Sequence, residues 1–195
     1  VSGPLTKQIA KKTLGYAPKH MAAKYSSFKT AEGEIVDFGT ALFFSSPRSY
    51  TGEDVLELTC HGGQAIVDQL LGALFQYGAR IAERGEFTKR AFLNDKLDLI
   101  QAEAVADLIE STSRATAKAA QRSLDGVFSK ELCLLSNELT ELRAEVEASL
   151  DFPEEDLVET KHKKSLETKL EAAQKRFQLL LTSTKKACRV REGIT

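Results

Sequence analysis

The chain has 195 residues, with 27 Lys+Arg against 28 Asp+Glu and 42% hydrophobic residues, so it carries a net charge of −1. That describes a globular chain long enough for one large core or two small ones, and the charge balance argues against a domain that holds nucleic acid by bulk charge, since such domains run strongly basic. No apolar run approaches the roughly 18 residues of a membrane span. The three cysteines, Cys60, Cys133 and Cys188, are odd in number and far apart, which suits reduced thiols in a cytoplasmic protein better than a secreted disulfide framework. His61 follows Cys60 directly, and strand neighbours point to opposite faces, so a shared metal is not expected. A start at Val1 rather than Met suggests a fragment.

The first 31 residues hold six lysines and no acid. They contain no Arg, no signal-type apolar core and no small-residue cleavage site, so a solvated helix face followed by a lysine-bearing loop is the favoured reading. Pro4 to Leu14 places Leu5, Ile9 and Thr13 at helical spacing, with Ser2 as the expected cap and Gly15 as the stop. Glu34–Phe38 and Ala41–Phe44 are expected as strands entered through an Ala31-Glu32-Gly33 turn. Asp54 to Cys60 alternates, with Val55, Glu57 and Thr59 on one face and Leu56, Leu58 and Cys60 on the other. His61-Gly62-Gly63 opens a helix to about Tyr77, whose apolar side carries Ile66, Leu70, Leu71 and Leu74. Gly78 ends it, and Ala79-Arg80-Ile81-Ala82 is expected as a further strand.

The character of the chain changes near residue 97. Ten of the 12 glycines and three of the four prolines precede it, and long helical periodicity follows. The expected domains are therefore 1–97, mixed α/β, and 98–195, all-helical, which together make an α+β chain. Asp98 to Ser111 carries Ile100, Ala104 and Leu108. A long helix from about Thr116 to Leu150 carries Leu132, Leu135, Leu139, Leu142 and Val146 until Asp151-Phe152-Pro153 breaks it. A last helix holds Leu166, Leu170, Ala173, Phe177 and Leu180. Two heptad-patterned stripes joined by one break imply antiparallel helices.

Three places carry residue types suited to chemistry. Glu57 sits mid-strand between apolar neighbours. It reads either as the exposed face of an edge strand or as a carboxylate acceptor for a ligand edge with two adjacent N–H donors, such as a pterin or purine. Each such charge-assisted bond contributes roughly 1.5–3 kcal/mol. His61-Gly62-Gly63 lies between strand and helix, where free N–H groups attract anions, although a simple tight turn explains the glycines better. The stretch from Arg84 to Asp98 gathers charges around Phe87, Phe92 and Leu93 at the domain junction, where small-ligand sites often form. A solvated, capped helix also explains its charges.

These segments resemble the tRNA modification GTPases of the MnmE (TrmE) family. Tyr50-Thr51-Gly52-Glu53-Asp54-Val55-Leu56-Glu57 with His61-Gly62-Gly63 is similar to the signature of that family's first domain. The run from Gly85 through Asn94-Asp95-Lys96-Leu97-Asp98-Leu99 to Ile109 is similar to its most recognisable stretch, and Asp151-Phe152-Pro153-Glu154-Glu155 to its break between long helices. The resemblance implies an N-terminal domain like the folate-binding domains of aminomethyltransferases, then a helical domain interrupted by a GTPase domain. It implies a homodimer formed through the first domain and a bound tetrahydrofolate derivative (5-formyl or 5,10-methylene). It also implies an FAD-dependent partner, MnmG (GidA), with which C5 of the wobble uridine of certain tRNAs receives an aminomethyl-type group. Glu57 would bind the pterin N–H groups and Lys96 would offer a positive charge to the folate. The family's further folate-contacting arginine would lie just before Val1-Ser2-Gly3. No G-x-x-x-x-G-K-[ST] occurs in the 195 residues, so GTP, with Mg and K ions, belongs to the full-length protein only, and no catalytic or metal-binding residue is expected in this stretch. Arg191-Glu192-Gly193-Ile194-Thr195 is similar to the run entering the GTPase domain, and none of the three cysteines matches the reactive cysteine of the family's C-terminal tail. The alternative is a non-enzymatic helical scaffold whose stripes recruit a protein partner through residues such as Leu139 and Leu142.

Overall fold

The computed structural model describes residues 1–151 and 159–192, with side chains over 1–151 and 163–184. Phe152, Pro153, Glu154 and Glu155 of the predicted helix break lie outside the described residues, as do the side chains of Cys188, Arg191 and Glu192, and Gly193-Ile194-Thr195. The chain forms an α+β arrangement of two compact units, Val1–Asp98 and Leu99–Thr195, and each is taken by itself.

In the first unit, α1 (Thr6–Leu14) buries Thr6, Ile9, Ala10, Thr13 and Leu14 and ends at Gly15, which takes the left-handed conformation at φ 76° that glycine adopts without steric cost. Ser2 does not cap it. Leu5 stands at the cap position without a side-chain bond, while the Ser2 hydroxyl reaches Thr51 Oγ1 at 2.7 Å and Glu53 Oε2 at 3.0 Å. A longer-range partner has taken the hydroxyl that the helix start would have used.

β1 (Lys24–Lys29) and β2 (Ile35–Phe44) form an antiparallel hairpin, and β3 (Val55–Thr59) adds antiparallel to β2, in the order β1-β2-β3. The two short strands expected at 34–38 and 41–44 are one strand. Gly39 and Thr40 continue the ladder because a Cβ on Gly39 would stand 1.9 Å from the Thr59 carbonyl oxygen, so only glycine admits the close approach. β1 escapes sequence reading, because Lys-Tyr-Ser-Ser-Phe-Lys presents only Phe28 as an apolar core residue. The core packs Ile9, Ala10 and Leu14 of α1 against Phe28, Ala41, Phe43 and Leu56 of the sheet and against Leu70 and Leu74.

Leu70 and Leu74 come from α2 (Gln64–Gln76), which also buries Ala73. Leu71, expected on the apolar side, is exposed. Gly78 (φ 98°) follows the helix. The expected strand at Ala79–Ala82 does not form. The segment joins no ladder and Ile81 is 71% exposed, because a strand exists only where a neighbour takes its backbone bonds. α3 (Glu86–Leu93) closes the unit with Ala91 buried.

The second unit begins with α4 (Leu99–Glu110), burying Ala104, and α5 (Arg114–Leu124), whose Ser113 and Thr116 form a reciprocal capping box. The single helix expected over 116–150 is two helices. Gly126 takes φ 75° and separates α5 from α6 (Val127–Asp151). α7 (Glu159–Glu192) runs antiparallel to α6, as the pairs Glu145–Lys169 and Glu138–Arg176 require, since one number falls as the other rises. Leu135 and Ala173 are buried, whereas Leu132, Leu139, Val146, Leu170 and Phe177 are exposed. The pairing of α6 with α7 therefore covers only part of the two apolar stripes.

Candidate functional site

The two motif-bearing stretches of the first unit, 50–57 and 84–98, dock on each other. Tyr50 Oη meets Thr88 Oγ1 at 2.9 Å. Asn94 Nδ2 donates to the carbonyl of Thr51 at 2.7 Å, and Thr51 is fully buried. Gly52 has φ 75°, and a Cβ there would stand 3.1 Å from Asn94 Cβ and Lys96 Cγ. Both the backbone angle and the space call for glycine. Glu53 accepts from Arg90 Nη1 at 3.0 and 3.2 Å. Asp54 Oδ1 accepts the Ser46 N–H at 2.9 Å, and Ser49 Oγ donates to the Glu53 carbonyl. The loop that delivers the chain into β3 is thus clamped by the following helix.

The clamp sets the two predicted site residues. Glu57 lies in the middle of β3, opposite Leu42 of β2, on the sheet face turned away from Ala41, Phe43 and Leu56. Its carboxylate is exposed and has no hydrogen-bond or ion-pair partner among the described residues. Lys96 is placed by the end of α3. Asp95 takes φ 54°, its N–H bonds the Phe92 carbonyl at 3.1 Å, and the Lys96 N–H bonds the Ala91 carbonyl at 2.8 Å. That is the double bond of a Schellman cap, with Asp95 where glycine is usual. The Lys96 stem then packs on Gly52 at the entrance to β3, with its ammonium unpaired among the described residues. An acceptor-only carboxylate and a three-donor cation are therefore both presented by the Gly52–Glu57 segment and its clamp. No ion pair joins them to each other.

Sequence reading missed two clusters. In the first, Glu86 accepts from Arg80 and Arg90, and Arg90 reaches on to Glu53. The Arg80 guanidinium first, then the Glu83 N–H and Arg90, hold the Glu86 carboxyl down to about 2. Glu86 raises both arginines further, with Glu53 adding to the effect on Arg90. Glu53 and Arg90 are 37 positions apart, so no local pattern announces them. In the second, Asp37 of β2, only 9% exposed, accepts the His61 N–H at 2.8 Å and the His61 Nδ1 at 2.9 Å. The backbone bond, then the ring, hold the Asp37 carboxyl below the usual carboxylate range against the effect of burial. His61 therefore turns toward Asp37, while Cys60 packs beside the core. An apolar groove of about 630 Å³ lies between α1, β3 and α2, lined by Leu56, Leu58, Val67, Leu70 and Ile81 with Arg80 and Arg90 at its polar end. Neither Glu57 nor Lys96 lines it.

A family model described as "GTP-binding protein TrmE N-terminus" matches residues 1–96, and one described as "MnmE helical domain" matches residues 99–195. The chain belongs to the MnmE (TrmE) family. Among its relatives, the tRNA modification GTPase MnmE of Nitrosococcus oceani is 46% identical over 194 residues, spanning all of this chain and 42% of the relative. The proteins of the same name from Marinobacter nauticus and Saccharophagus degradans are 54% and 55% identical over 157 residues, covering 80% of this chain and 34% of each relative. The chain thus spans less than half the length of these MnmE relatives. No helix among the described residues is long and apolar enough to cross a membrane.

Proposed function

We propose that this chain is the folate-binding and self-associating part of a GTP-hydrolysing tRNA modification enzyme. In this reading the 1–97 region binds a tetrahydrofolate derivative and forms the homodimer. The intact protein, with an FAD-dependent MnmG-type partner in the cytoplasm, adds an aminomethyl-type group to C5 of a wobble uridine in tRNA. The observation that carries the reading is the exposed carboxylate of Glu57 in the middle of a strand, with no hydrogen-bond or ion-pair partner among the described residues, and Lys96 fixed at the entrance of the same strand. A mid-strand carboxylate gains nothing from its apolar neighbours. It fits a ligand edge with two adjacent N–H donors, and the Lys96 ammonium fits an anionic group on the same ligand. When bound, the folate would supply the one-carbon unit. Glu57 and Lys96 would bind and orient it, and GTP would be handled outside these 195 residues.

Val1 supports this placement. Its terminal ammonium donates to the Leu56 carbonyl at 2.8 Å, the Leu56 N–H donates to the Val1 carbonyl at 2.9 Å, and Ser2 bridges to Val55. Val1 and Ser2 therefore lie antiparallel against Leu56 and Val55, next to Glu57 in the strand.

The test is thermal unfolding with saturating 5-formyltetrahydrofolate, compared in the wild type, Glu57→Ala and Lys96→Ala. A ligand at 100 times its Kd adds about 2.7 kcal/mol. The wild type is expected to shift upward, Lys96→Ala to shift less and Glu57→Ala not at all. No shift in the wild type, or an equal shift in Glu57→Ala, overturns the reading. The incompletely covered stripes of α6 and α7 favour a second reading, a helical scaffold for a protein partner, in which association survives Glu57 and Lys96 substitution but fails when Leu139 or Leu142 becomes charged.

A further inference from the structure

The near-zero net charge of the chain conceals a segregation. Residues 1–31 contain six lysines and no acid, while the whole chain sums to −1, so everything after them is net acidic. The fold turns this run into a surface. α1 directs Thr6, Ile9, Ala10, Thr13 and Leu14 inward, which leaves Lys7, Lys11 and Lys12 in solvent, with Lys7 and Lys11 on one face about 6 Å apart along the axis. The turn at Gly15 then brings β1 alongside, and Lys29 Nζ lies 3.7 Å from where a Cβ on Gly15 would stand.

Two tyrosines tie the lysines together. The ring of Tyr77 lies 5.3 Å from Lys12 Nζ, and its hydroxyl donates to the Lys29 carbonyl at 3.4 Å. The ring of Tyr16 lies 4.0 Å from Lys24 Nζ, and its hydroxyl meets Ser26 Oγ at 2.7 Å. None of these lysines has an ion-pair partner among the described residues. The acid that registers nearby is Glu32, whose charge adds to burial in raising the Tyr77 hydroxyl.

We propose that this lysine face of α1 and β1 docks the sugar–phosphate backbone of tRNA, a proposal that rests on reading the chain as part of a tRNA-modifying enzyme. Lysines in the last turn of a helix complement its dipole, which accounts for Lys11 and Lys12 but not for Lys7, Lys24 or Lys29. Unpaired like charges held on one side of a small unit repel each other, and a polyanion relieves that repulsion while releasing its own counterions. Lys7, Lys11, Lys12 and Lys24 are exposed and Lys29 is half-buried, and none of them lines the apolar groove between α1, β3 and α2. That spacing suits an extended run of phosphates rather than one small anion, with the tyrosine faces between them available to a ribose or an unstacked base.

The test is fluorescence anisotropy of a labelled tRNA with the 195-residue chain at several KCl concentrations. Lys7→Ala/Lys11→Ala/Lys29→Ala is expected to weaken binding about tenfold or more near 0.15 M salt and to flatten the dependence of log K on log salt by about one per lysine lost. Arginine at the same three positions is expected to retain both. Lys163→Ala/Lys164→Ala in α7 is the control and is expected to change neither. If the triple variant loses its fold, Lys7→Glu/Lys11→Glu on the exposed side of α1 decides the matter.

The proposal is overturned if the wild type binds no tRNA, if the salt slope survives loss of the lysines, or if the α7 control weakens binding equally. Binding only to vesicles of anionic phospholipid overturns it as well. An unchanged folate shift in the lysine variants separates the two readings, because failure here then leaves the folate site standing, and failure of the folate test leaves the RNA measurement untouched.

Discussion

Gly39 offers a sharp test of how the sheet is held. A Cβ at this position would stand 1.9 Å from the carbonyl oxygen of Thr59 and 3.0 Å from Phe28 Cε2. An ordinary carbon–oxygen contact begins near 3.3 Å, so Gly39→Ala must push β3 away by more than 1 Å at its C-terminal end. That end carries the last pair of the β2–β3 ladder, Thr40–Thr59, and leads directly into His61, whose bonds to Asp37 are 2.8–3.1 Å long. Such bonds do not survive a 1 Å displacement. Overpacking of this kind costs about 1–3 kcal/mol, and each hydrogen bond lost adds about 1 kcal/mol. Alanine returns about 0.5–1 kcal/mol by restricting the unfolded chain. The loss wins, at about 3 kcal/mol net. For a unit of this size that is a fall of about 12–24 °C in Tm. The assay is near-UV circular dichroism in the tyrosine band, because the chain has no tryptophan and its four tyrosines, Tyr16, Tyr25, Tyr50 and Tyr77, all belong to the first unit. Gly62→Ala is the control, since a Cβ there meets nothing within 4 Å. A Gly39→Ala protein melting within about 3 °C of the wild type, or a Gly62→Ala protein losing as much, refutes the reasoning.

Three further outcomes are expected by the same physics. Phe28→Ala removes the largest fully buried side chain of the first unit and should cost about 3–5 kcal/mol, read from urea unfolding of the tyrosine signal. Arg90→Met leaves Glu53 and Glu86 without their shared cation and should cost about 2 kcal/mol. A double-mutant cycle with Glu53→Gln should then return a coupling above about 0.5 kcal/mol, and an additive result would remove Arg90 from the clamp. Glu86 titrates at about 2 in the folded chain, below its ordinary 4.5, and Asp37 is also lowered. Both carboxylates therefore stabilise the fold above their unfolded values; the Glu86 contribution is lost as pH falls through about 4.5 toward 2, and that of Asp37 as pH falls below its ordinary 3.8. Urea midpoints should drop across this window and less so in Glu86→Gln, whereas constant midpoints from pH 6 to pH 3 would contradict the assignment.

The helices were the most legible part of the sequence, because a 3.6-residue period and a glycine stop are local signals. Ile9 and Thr13 followed by Gly15, and Leu70 and Leu74 followed by Gly78, fall where the spacing places them, whereas Leu5 stands exposed at the cap of α1 rather than on its buried face. What failed depends on partners that spacing cannot name. β1 hides because Ser26, a polar residue, occupies a buried position and accepts Tyr16 as its partner. Ala79–Ala82 has strand composition but no neighbour to pair with. Gly126 sits inside the single helix expected over 116–150, ahead of the stripe that begins at Leu132, and its left-handed φ divides α5 from α6. At the site, the residue types were readable but their meetings were not. Thr51 and Asn94 are 43 positions apart, Asp37 and His61 are 24 apart, and only the folded sheet joins them.

The same contacts separate two roles that a dense motif mixes together. Within 50–57, the polar side chains of Tyr50, Thr51, Glu53 and Asp54 are all engaged in holding the entrance of β3 against α3, closing its own loop or meeting Ser2. Glu57 is the one left over. Within 86–96, Glu86, Thr88, Arg90 and Asn94 are engaged in the same clamp, and Asp95 contributes its backbone angle to the helix cap. Lys96 lies against Gly52 with its charge unspent. A residue whose polar atoms are satisfied inside the fold cannot offer them to a ligand without breaking a bond worth about 1 kcal/mol. Such residues are positioning residues, and substituting them should lower Tm with or without folate. Glu57 and Lys96 carry no such obligation. Replacing them should leave the unliganded stability within the roughly 0.5 kcal/mol typical of surface changes, so that any effect they have appears only when the ligand is present. Engagement with the fold, more than motif membership, is what divides the residues that build this site from those available to use it.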